Sequence, residues 1–219
     1  MNVTIVGAGN MGRGIGTRVL AGGHTLRVHD RTRAKAEELA AALREGASGA
    51  DASAVDADGA ADADGAADAD IVVLALPYPA GRDIAAAWAE SLDGKIVVDI
   101  SNPVDFSTFD KLVVPADTSA AEQIAAAAPK SRVVKAFNTT FAGPLAAGRV
   151  AGRPLDVFIA GDDDAARQTV ADLVTGAGLR PLDVGPLHWA RQLEGFQLLH
   201  MAAQDRLGLN WSSALTIMT

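Results

Sequence analysis

Short apolar runs alternate with longer mixed stretches along most of this chain. Val3–Val6 is apolar and ends in a glycine turn, the pattern of a strand buried on both faces. A helix is expected from about Asn10 to Leu20, stopped by Gly22-Gly23. Thr25–Asp30 reads as a second strand and Ala34–Arg44 as a helix ending near Gly46. Ile71–Leu76 is the next strand, halted by Pro77 and Pro79, with a helix over Asp83–Glu90. Lys95–Ile100 is a strand, Ser101–Asp117 a long irregular connection, Ala120–Ala128 a helix stopped by Pro129, and Arg132–Phe137 another strand. Val157–Ala160 and Arg180–Val184 read as two further strands around a helix at about Asp163–Thr175. A last helix covers roughly Trp189–Leu207, with Trp189, Leu193, Phe196 and Leu199 near one face.

Strand and helix thus alternate to about residue 138. Right-handed crossovers turn such a chain into a Rossmann-like α/β fold, with a doubly wound, mainly parallel sheet. Residues 1–140 are expected to form the main domain. Residues 141–219 would be a small C-terminal α/β extension that packs on the sheet and forms a dimer contact, with the apolar tail Leu215–Met218 against a partner subunit.

Composition narrows the function. At 219 residues and 49% hydrophobic, the chain can bury a sizeable core. A net charge of −8 disfavours nucleic acid, which calls for a basic face. The absence of cysteine excludes disulfides, thiolate nucleophiles and Cys-ligated metals. Met1-Asn2 offers no basic leader and Ile71–Leu76 is too short to span a bilayer, so a soluble cytoplasmic protein without a membrane partner is expected. Asp56–Asp70 is nearly a two-letter Asp/Ala segment. It lacks the spacing of a calcium loop and reads as a solvated acidic helix or loop, not a metal site.

Gly7-Ala8-Gly9-Asn10-Met11-Gly12 matches G-x-G-x-x-G. It follows a strand, opens a helix, and has an acidic residue roughly 20 positions on, at the end of the second strand. Together these point to a dinucleotide, with its pyrophosphate at the helix N-terminus. Gly7 permits the turn, Gly9 the approach of the pyrophosphate, and Gly12 close helix–strand packing. Residues 1–140 are therefore expected to be the dinucleotide-binding domain. Asp30 suits a ribose 2′-OH and so NAD, whereas Arg31, Arg33 and Lys35 suit a 2′-phosphate and so NADP. Cations at a helix start oppose its dipole and gain little structurally. That tilts the reading to NADP, with Asp30 turned aside.

The second reactant belongs beyond the carboxyl ends of the strands. Those ends carry Leu76-Pro77-Tyr78, Ser101-Asn102-Pro103 and Asn138-Thr139-Thr140, an apolar and uncharged set with no His–Asp or Lys pair for acid–base work. No side chain is assigned a catalytic role, because hydride transfer between two ring cofactors needs mainly alignment. His24, His29, His188 and His200 show no ligand or triad spacing and read as structural. About 80 residues follow Thr139, and they begin with strands, which fits an open cleft for a planar partner better than a helical domain closed over a small acid.

These residues resemble the coenzyme F420-dependent NADP oxidoreductases, and the likeness covers nearly the whole chain. It rests on Gly7–Gly14, on Asp30–Lys35, on Ala75-Leu76-Pro77-Tyr78, and on Gly178-Leu179-Arg180-Pro181-Leu182-Asp183-Val184-Gly185-Pro186-Leu187 followed by Arg191 and Glu194. The resemblance implies hydride transfer between C4 of the nicotinamide and C5 of a deazaflavin, a homodimer, and Leu76, Pro77, Tyr78, Asn138 and Thr139 at the border of the stacked rings. Two positions depart from the family. Asp30 replaces a small polar residue. Asn138, within Lys135-Ala136-Phe137-Asn138-Thr139, stands where the family's deazaflavin site has His. That variant is similar to the reductase domains of the STEAP metalloreductases, which use a flavin. The expected cofactors are therefore NADP with F420, or with a flavin (FMN or FAD). A non-catalytic NAD(P)-binding module is a third reading, against which the apolar shelf for a second ring argues.

Overall fold

The computed structural model describes residues 1–46, 51–55 and 63–218. In chain order they form β1 (Asn2–Val6), α1 (Asn10–Ala21), β2 (Thr25–His29), α2 (Arg33–Gly46), β3 (Ala52–Ala54), α3 (Asp64–Ala67), β4 (Ile71–Leu74), α4 (Tyr78–Ala87) and β5 (Ile96–Asp99). There follow α5 (Ala120–Ala127), β6 (Arg132–Lys135), α6 (Ala142–Ala147), β7 (Arg149–Val150), β8 (Arg153–Pro154), β9 (Asp156–Gly161), α7 (Asp164–Gly176), β10 (Arg180–Gly185), α8 (Ala190–Ala202) and α9 (Gln204–Leu207).

Among the described residues, eight strands form one sheet in the order β10-β9-β6-β5-β4-β1-β2-β3. Neighbours run parallel except β6 and β9. The strands β1, β2, β3 progress one way from the centre and β4, β5, β6 the other. The order reverses between β1 and β4, and an open α/β sheet has its crevice at such a reversal.

Both faces of the sheet are covered, which is why its strands read as unbroken apolar runs. Ile71 and Val73 pack with Ile15 of α1, Leu39 of α2 and Val170 of α7. Val72 and Leu74 point the other way, onto Ile84 of α4, Trp88 and Ile124 of α5. Ser119 caps α5. Its Oγ accepts from the Glu122 amide at 3.1 Å and donates to the Glu122 carboxylate at 2.8 Å, a reciprocal cap.

The expected doubly wound sheet is present, and most expected elements lie within a residue or two of their observed bounds. Three departures have physical causes. The helix expected from Asp83 begins at Tyr78, because Pro79 falls in its first turn, where a helix needs no amide hydrogen bond. The last helix is divided: a 3-10 turn at Leu187–Trp189 precedes α8, and α9 follows a break at Ala203. The buried face of α8 is Ala190, Leu193, Glu194, Gln197 and His200, while Trp189, Phe196 and Leu199 are 43%, 44% and 66% exposed. That helix is turned by a polar face with buried partners rather than by its apolar side chains. The short β3, α3 and α6 and the β7–β8 hairpin are additions to the expected set.

Of the Asp/Ala segment, residues 56–62 lie outside the described residues. In its described part, Asp68 pairs with Arg27 at 3.0 Å and Asp70 accepts the Asn2 amide at 2.8 Å. No cluster of three or more potential metal ligands occurs among the described residues.

The strands β9 and β10 extend the sheet beyond β6, and the C-terminal tail is clasped to them. Asp156 accepts two bonds from Arg180, at 2.5 and 2.6 Å, and one each from the Thr216 hydroxyl and the Ile217 amide at 2.9 Å. Burial would push the Asp156 carboxyl up, but these donors outweigh it and hold it below the usual carboxylate range. The clasp should therefore be complete above the ordinary aspartate value of about 3.9. It should be lost as pH falls through the lowered folded value. Hydrogen exchange at the Ile217 amide as a function of pH measures this, and Asp156→Asn should loosen the tail at neutral pH and abolish the pH dependence.

Candidate dinucleotide-binding cleft

The loop after β1 is shaped by contacts that only glycine allows. Gly7 donates to the His29 carbonyl at 2.8 Å, tying the loop to the end of β2. Its φ of +115° is left-handed, and an added Cβ would run into the Ala75 carbonyl. A Cβ on Gly12 would collide with the Gly7 carbonyl, whereas one on Gly9 would meet nothing within 4 Å. The three glycines thus divide as expected: turn, open approach and close packing.

Behind the loop, α1 begins with no side chain capping it and no acidic residue in its first turn. The amides of Asn10, Met11 and Gly12 open that helix. This is the donor set that a pyrophosphate requires. The residues present therefore fit a dinucleotide.

A cleft of about 530 Å³ lies between the loop and α4. It is lined by Gly7, Ala8 and Gly9, by His29, Asp30, Arg31 and Lys35, and by Ala75, Leu76, Pro77, Ala80, Asp83 and Ile84. Asp30 is engaged within the protein: its carboxylate accepts the Ala8 amide at 3.0 Å and the Thr32 amide at 2.9 Å. Arg31 and Lys35 are exposed at the cleft, while Arg33 stands outside its lining and pairs with Glu37 at 2.8 Å. Tyr78 also lies outside the lining, buried at the start of α4. His29 is buried with its ring edge-on to Trp88.

Of the expected ring-binding residues, Leu76 and Pro77 line the cleft after β4, whereas Asn102, Pro103, Asn138 and Thr139 gather at the ends of β5 and β6, outside that lining. Asn138 Nδ2 donates to Asn102 Oδ1 at 3.0 Å, and Asn102 Nδ2 donates to the Asn138 carbonyl at 2.8 Å. Pro103 is buried beside them in sequence. Phe137, just before Asn138, has a left-handed φ of 60°. Thr139 Oγ1, Asn138 Oδ1 and Ser101 Oγ are buried without a hydrogen-bond partner. Buried polar atoms are normally satisfied, so three orphans at one set of strand ends mark a place built for something other than packing.

Below this layer the structure corrects the expectation that the strand ends hold no lysine pair. Lys135 Nζ donates to Asp99 at 2.7 Å, to Glu194 at 2.7 Å and to the Ser101 carbonyl at 2.6 Å. All three side chains are fully buried. Burial alone would lower the Lys135 pKa, but the two carboxylates outweigh it and hold the ammonium charged. Burial pushes Glu194 up, opposed by Lys135 and reinforced by the Asp99 charge. Glu194 also accepts the Ala120 and Ala121 amides at the start of α5, and Arg191 grips Glu122 there at 2.6 and 2.8 Å. Asp99 and Lys135 each end an apolar run and pair across β5 and β6. A charge closing two neighbouring buried runs was a readable signal. Glu194, 59 residues from Lys135, was marked only by its place in the string that carries the family resemblance, with nothing to indicate its partner.

Fold, glycine loop and cleft define a Rossmann-type oxidoreductase that binds a nicotinamide dinucleotide. Residues 2–103 match the family model described as NADP oxidoreductase coenzyme F420-dependent. The chain is 32% identical over 201 residues to the F420-dependent NADP reductase of Methanocaldococcus jannaschii, covering 89% of this chain and 88% of that one. It belongs to the coenzyme F420-dependent NADP oxidoreductase family. A solved structure from Arthrobacter sp. FB24, provisionally described as an F420-dependent NADP-reductase, superposes with a TM-score of 0.77 at 30% identity over 94% of each chain. Metalloreductase STEAP3 of Rattus norvegicus is 40% identical over 110 residues, which are 50% of this chain but only 21% of that protein.

Removing one member of a buried ion cluster leaves the others uncompensated. Lys135→Met should therefore destabilise the fold by about 3–5 kcal/mol. Urea unfolding of the two proteins gives the difference directly.

Proposed function

We propose that the chain moves a hydride between C4 of the nicotinamide of NADP(H) and C5 of the deazaflavin of coenzyme F420. The observation that carries this reading is an open anion cradle that shares one cleft with the apolar turn of Ala75, Leu76 and Pro77. At the near end, the amides of Asn10, Met11 and Gly12 at the start of α1 hold the pyrophosphate. Arg31 and Lys35, with Arg33 beside them, take the 2′-phosphate. Asp30 is turned aside onto the Ala8 and Thr32 amides, which favours NADP over NAD. Leu76 and Pro77 form an apolar shelf, with Tyr78 holding the turn behind it. Asn102, Pro103, Asn138 and Thr139 border the rings.

The coenzymes supply the redox chemistry when bound. The chain's own residues align two flat rings and keep water from between them. A hydride moves as a unit, so no acid or base need stand between donor and acceptor. Lys135 is not a proton donor on this reading: it is buried beneath the strand ends and braces them. The unit of residues 1–140 holds the dinucleotide, and residues 141–219 supply Glu194 and Arg191 as its brace.

Asn138, where the family's deazaflavin site has His, favours a second reading, an NADPH-dependent reductase of a flavin such as FMN or FAD. Mixing the protein with NADPH and either F420 or FMN, and following NADPH absorbance, separates the two. Turnover with F420 is expected. Turnover with FMN alone would transfer the assignment to the flavin reading, and tight NADP binding with neither acceptor reduced would leave only a binding module. Replacing both Arg31 and Lys35 by Ala should raise the KM for NADPH about tenfold and leave that for NADH unchanged.

We also propose a homodimer formed through residues 141–219, because Trp189, Phe196 and Leu199 leave an apolar stripe on α8 uncovered. Sedimentation should give twice the chain mass, and Phe196→Glu with Leu199→Glu should give the monomer.

A further inference from the structure

One wall of the cleft is a side of α4. Ala80, Asp83 and Ile84 stand at i, i+3 and i+4 and so share a face of that helix. Two of the three are apolar. The third is a carboxylate, in a cleft whose other lining residues include Arg31 and Lys35. A negative charge there weakens the local field that draws an anionic coenzyme in, so its presence calls for a reason.

Folding does not supply that reason. Two carboxylates line the cleft, and Asp30 is engaged by the Ala8 and Thr32 amides. Asp83 is not held in this way. Its Oδ1 accepts from Arg82 Nη2 at 3.1 Å, and its Oδ2 makes no hydrogen bond among the described residues. The Arg82–Asp83 pair joins neighbours in sequence, with side chains 48% and 68% exposed, and a surface pair of this kind contributes little to stability. Nor does Asp83 complement the helix dipole, because it lies beyond the first turn of α4.

The parts of NADP(H) divide over this cleft by charge. The pyrophosphate belongs at the start of α1 and the 2′-phosphate at Arg31 and Lys35, and neither is tolerated against a carboxylate. What remains for the α4 wall is the flat, uncharged group on the same ribose, the adenine. Its face suits Ala80 and Ile84. Its edge carries an exocyclic 6-amino group, a donor, and an ionised carboxylate only accepts hydrogen bonds. A 6-oxopurine has an acceptor at that position and would bring two acceptors together with no proton between them.

We propose that Asp83 reads the 6-amino group of the adenine of NADP(H), and so makes the cleft selective for 6-aminopurine over 6-oxopurine dinucleotides. This rests on the reading of the cleft as the seat of the pyrophosphate and 2′-phosphate of NADP(H), and deepens it. Recognition of the nucleotide then has three separate marks: the α1 amides for the pyrophosphate, Arg31 and Lys35 for the 2′-phosphate, and Asp83 for the base. The selection concerns the nucleotide alone and holds whichever ring accepts the hydride.

The test uses the whole chain and reads binding with no acceptor present. Calorimetric titration with NADP+ and with nicotinamide hypoxanthine dinucleotide phosphate, its 6-oxo analogue, should show NADP+ bound about tenfold more tightly, the scale of one hydrogen bond to a charged group. Asp83→Ala should weaken NADP+ about tenfold and leave the analogue bound no more weakly than before. Asp83→Asn can turn its amide to offer either a donor or an acceptor, and should bring the two Kd values to within about twofold. The Asp83 side chain is exposed, so neither substitution removes a buried contact. Equal affinities in the unsubstituted protein, or a preference unchanged in Asp83→Ala, would overturn the inference and leave the hydride-transfer reading standing. Selective binding lost in Asp83→Ala, with neither F420 nor FMN reduced by the unsubstituted protein, would uphold the inference and remove the hydride-transfer reading. Failure of the unsubstituted protein to bind NADP+ would remove both.

Discussion

The charge cluster centred on Lys135 is the constraint on which the rest of the site depends. An ammonium cannot be taken fully out of water without partners that replace its hydration. Here the partners come from four places: Asp99 at the end of β5, the Ser101 carbonyl beyond it, Glu194 on α8, and, through Glu194, the amides that start α5. None of these can leave without stranding a buried charge. The carboxyl ends of β5 and β6, where the two rings are proposed to meet, are thus fixed from below. The cluster also explains why α8 turns a polar face inward and leaves Trp189, Phe196 and Leu199 outside. Electrostatics outweighs apolar burial at that helix.

Much of the fold was readable because a doubly wound sheet writes itself plainly. Strands covered on both faces need unbroken apolar runs, and Ile71–Leu74 and Ile96–Val98 supply them. The glycine loop was readable for a similar reason, since each glycine answers a steric demand that no other residue meets. What escaped notice depended on contacts distant in sequence. Nothing near Glu194 announces a lysine buried on another element. Tyr78 was expected beside the rings with Leu76 and Pro77 through the family resemblance; those two line the cleft, whereas Tyr78 opens α4 with its side chain buried. Four apolar residues on α8 suggested a buried stripe, and the three that stay exposed show how weak amphipathic spacing is when a helix also carries buried polar partners.

The cleft divides its work by charge. Its near end is positive by construction: an uncapped helix start, then Arg31 and Lys35 at the mouth. Opposite them the lining is mostly apolar, with Ala75, Leu76, Pro77, Ala80 and Ile84 beside the Asp83 carboxylate. The chain carries a net charge of −8, so anionic coenzymes approach against the overall field and must be captured locally. Asp30 shows how that capture is arranged. By binding the Ala8 and Thr32 amides it shapes the loop, and its charge is partly neutralised by those donors instead of standing free to repel a phosphate beside Arg31.

Backbone strain follows the same map. Among the described residues, five without glycine's freedom adopt left-handed φ: Phe109, Phe137, Ala151, Asn210 and Trp211. Ala151 sits in the turn of the β7–β8 hairpin, where such a conformation is common. The other four belong to the strand-end loops or to the C-terminal segment after α9. Each is held by bonds that would be superfluous in an ordinary loop: the Asn102–Asn138 pair next to Phe137, the Asp105–Phe109 backbone bond, and the Gln204–Trp211 bond. Asn210 is already a residue that tolerates this conformation; a chain selected for stability alone would relax the other three with glycine or asparagine. Aromatic side chains kept at three of them, two in contact with each other, mean that ring placement outweighs local comfort.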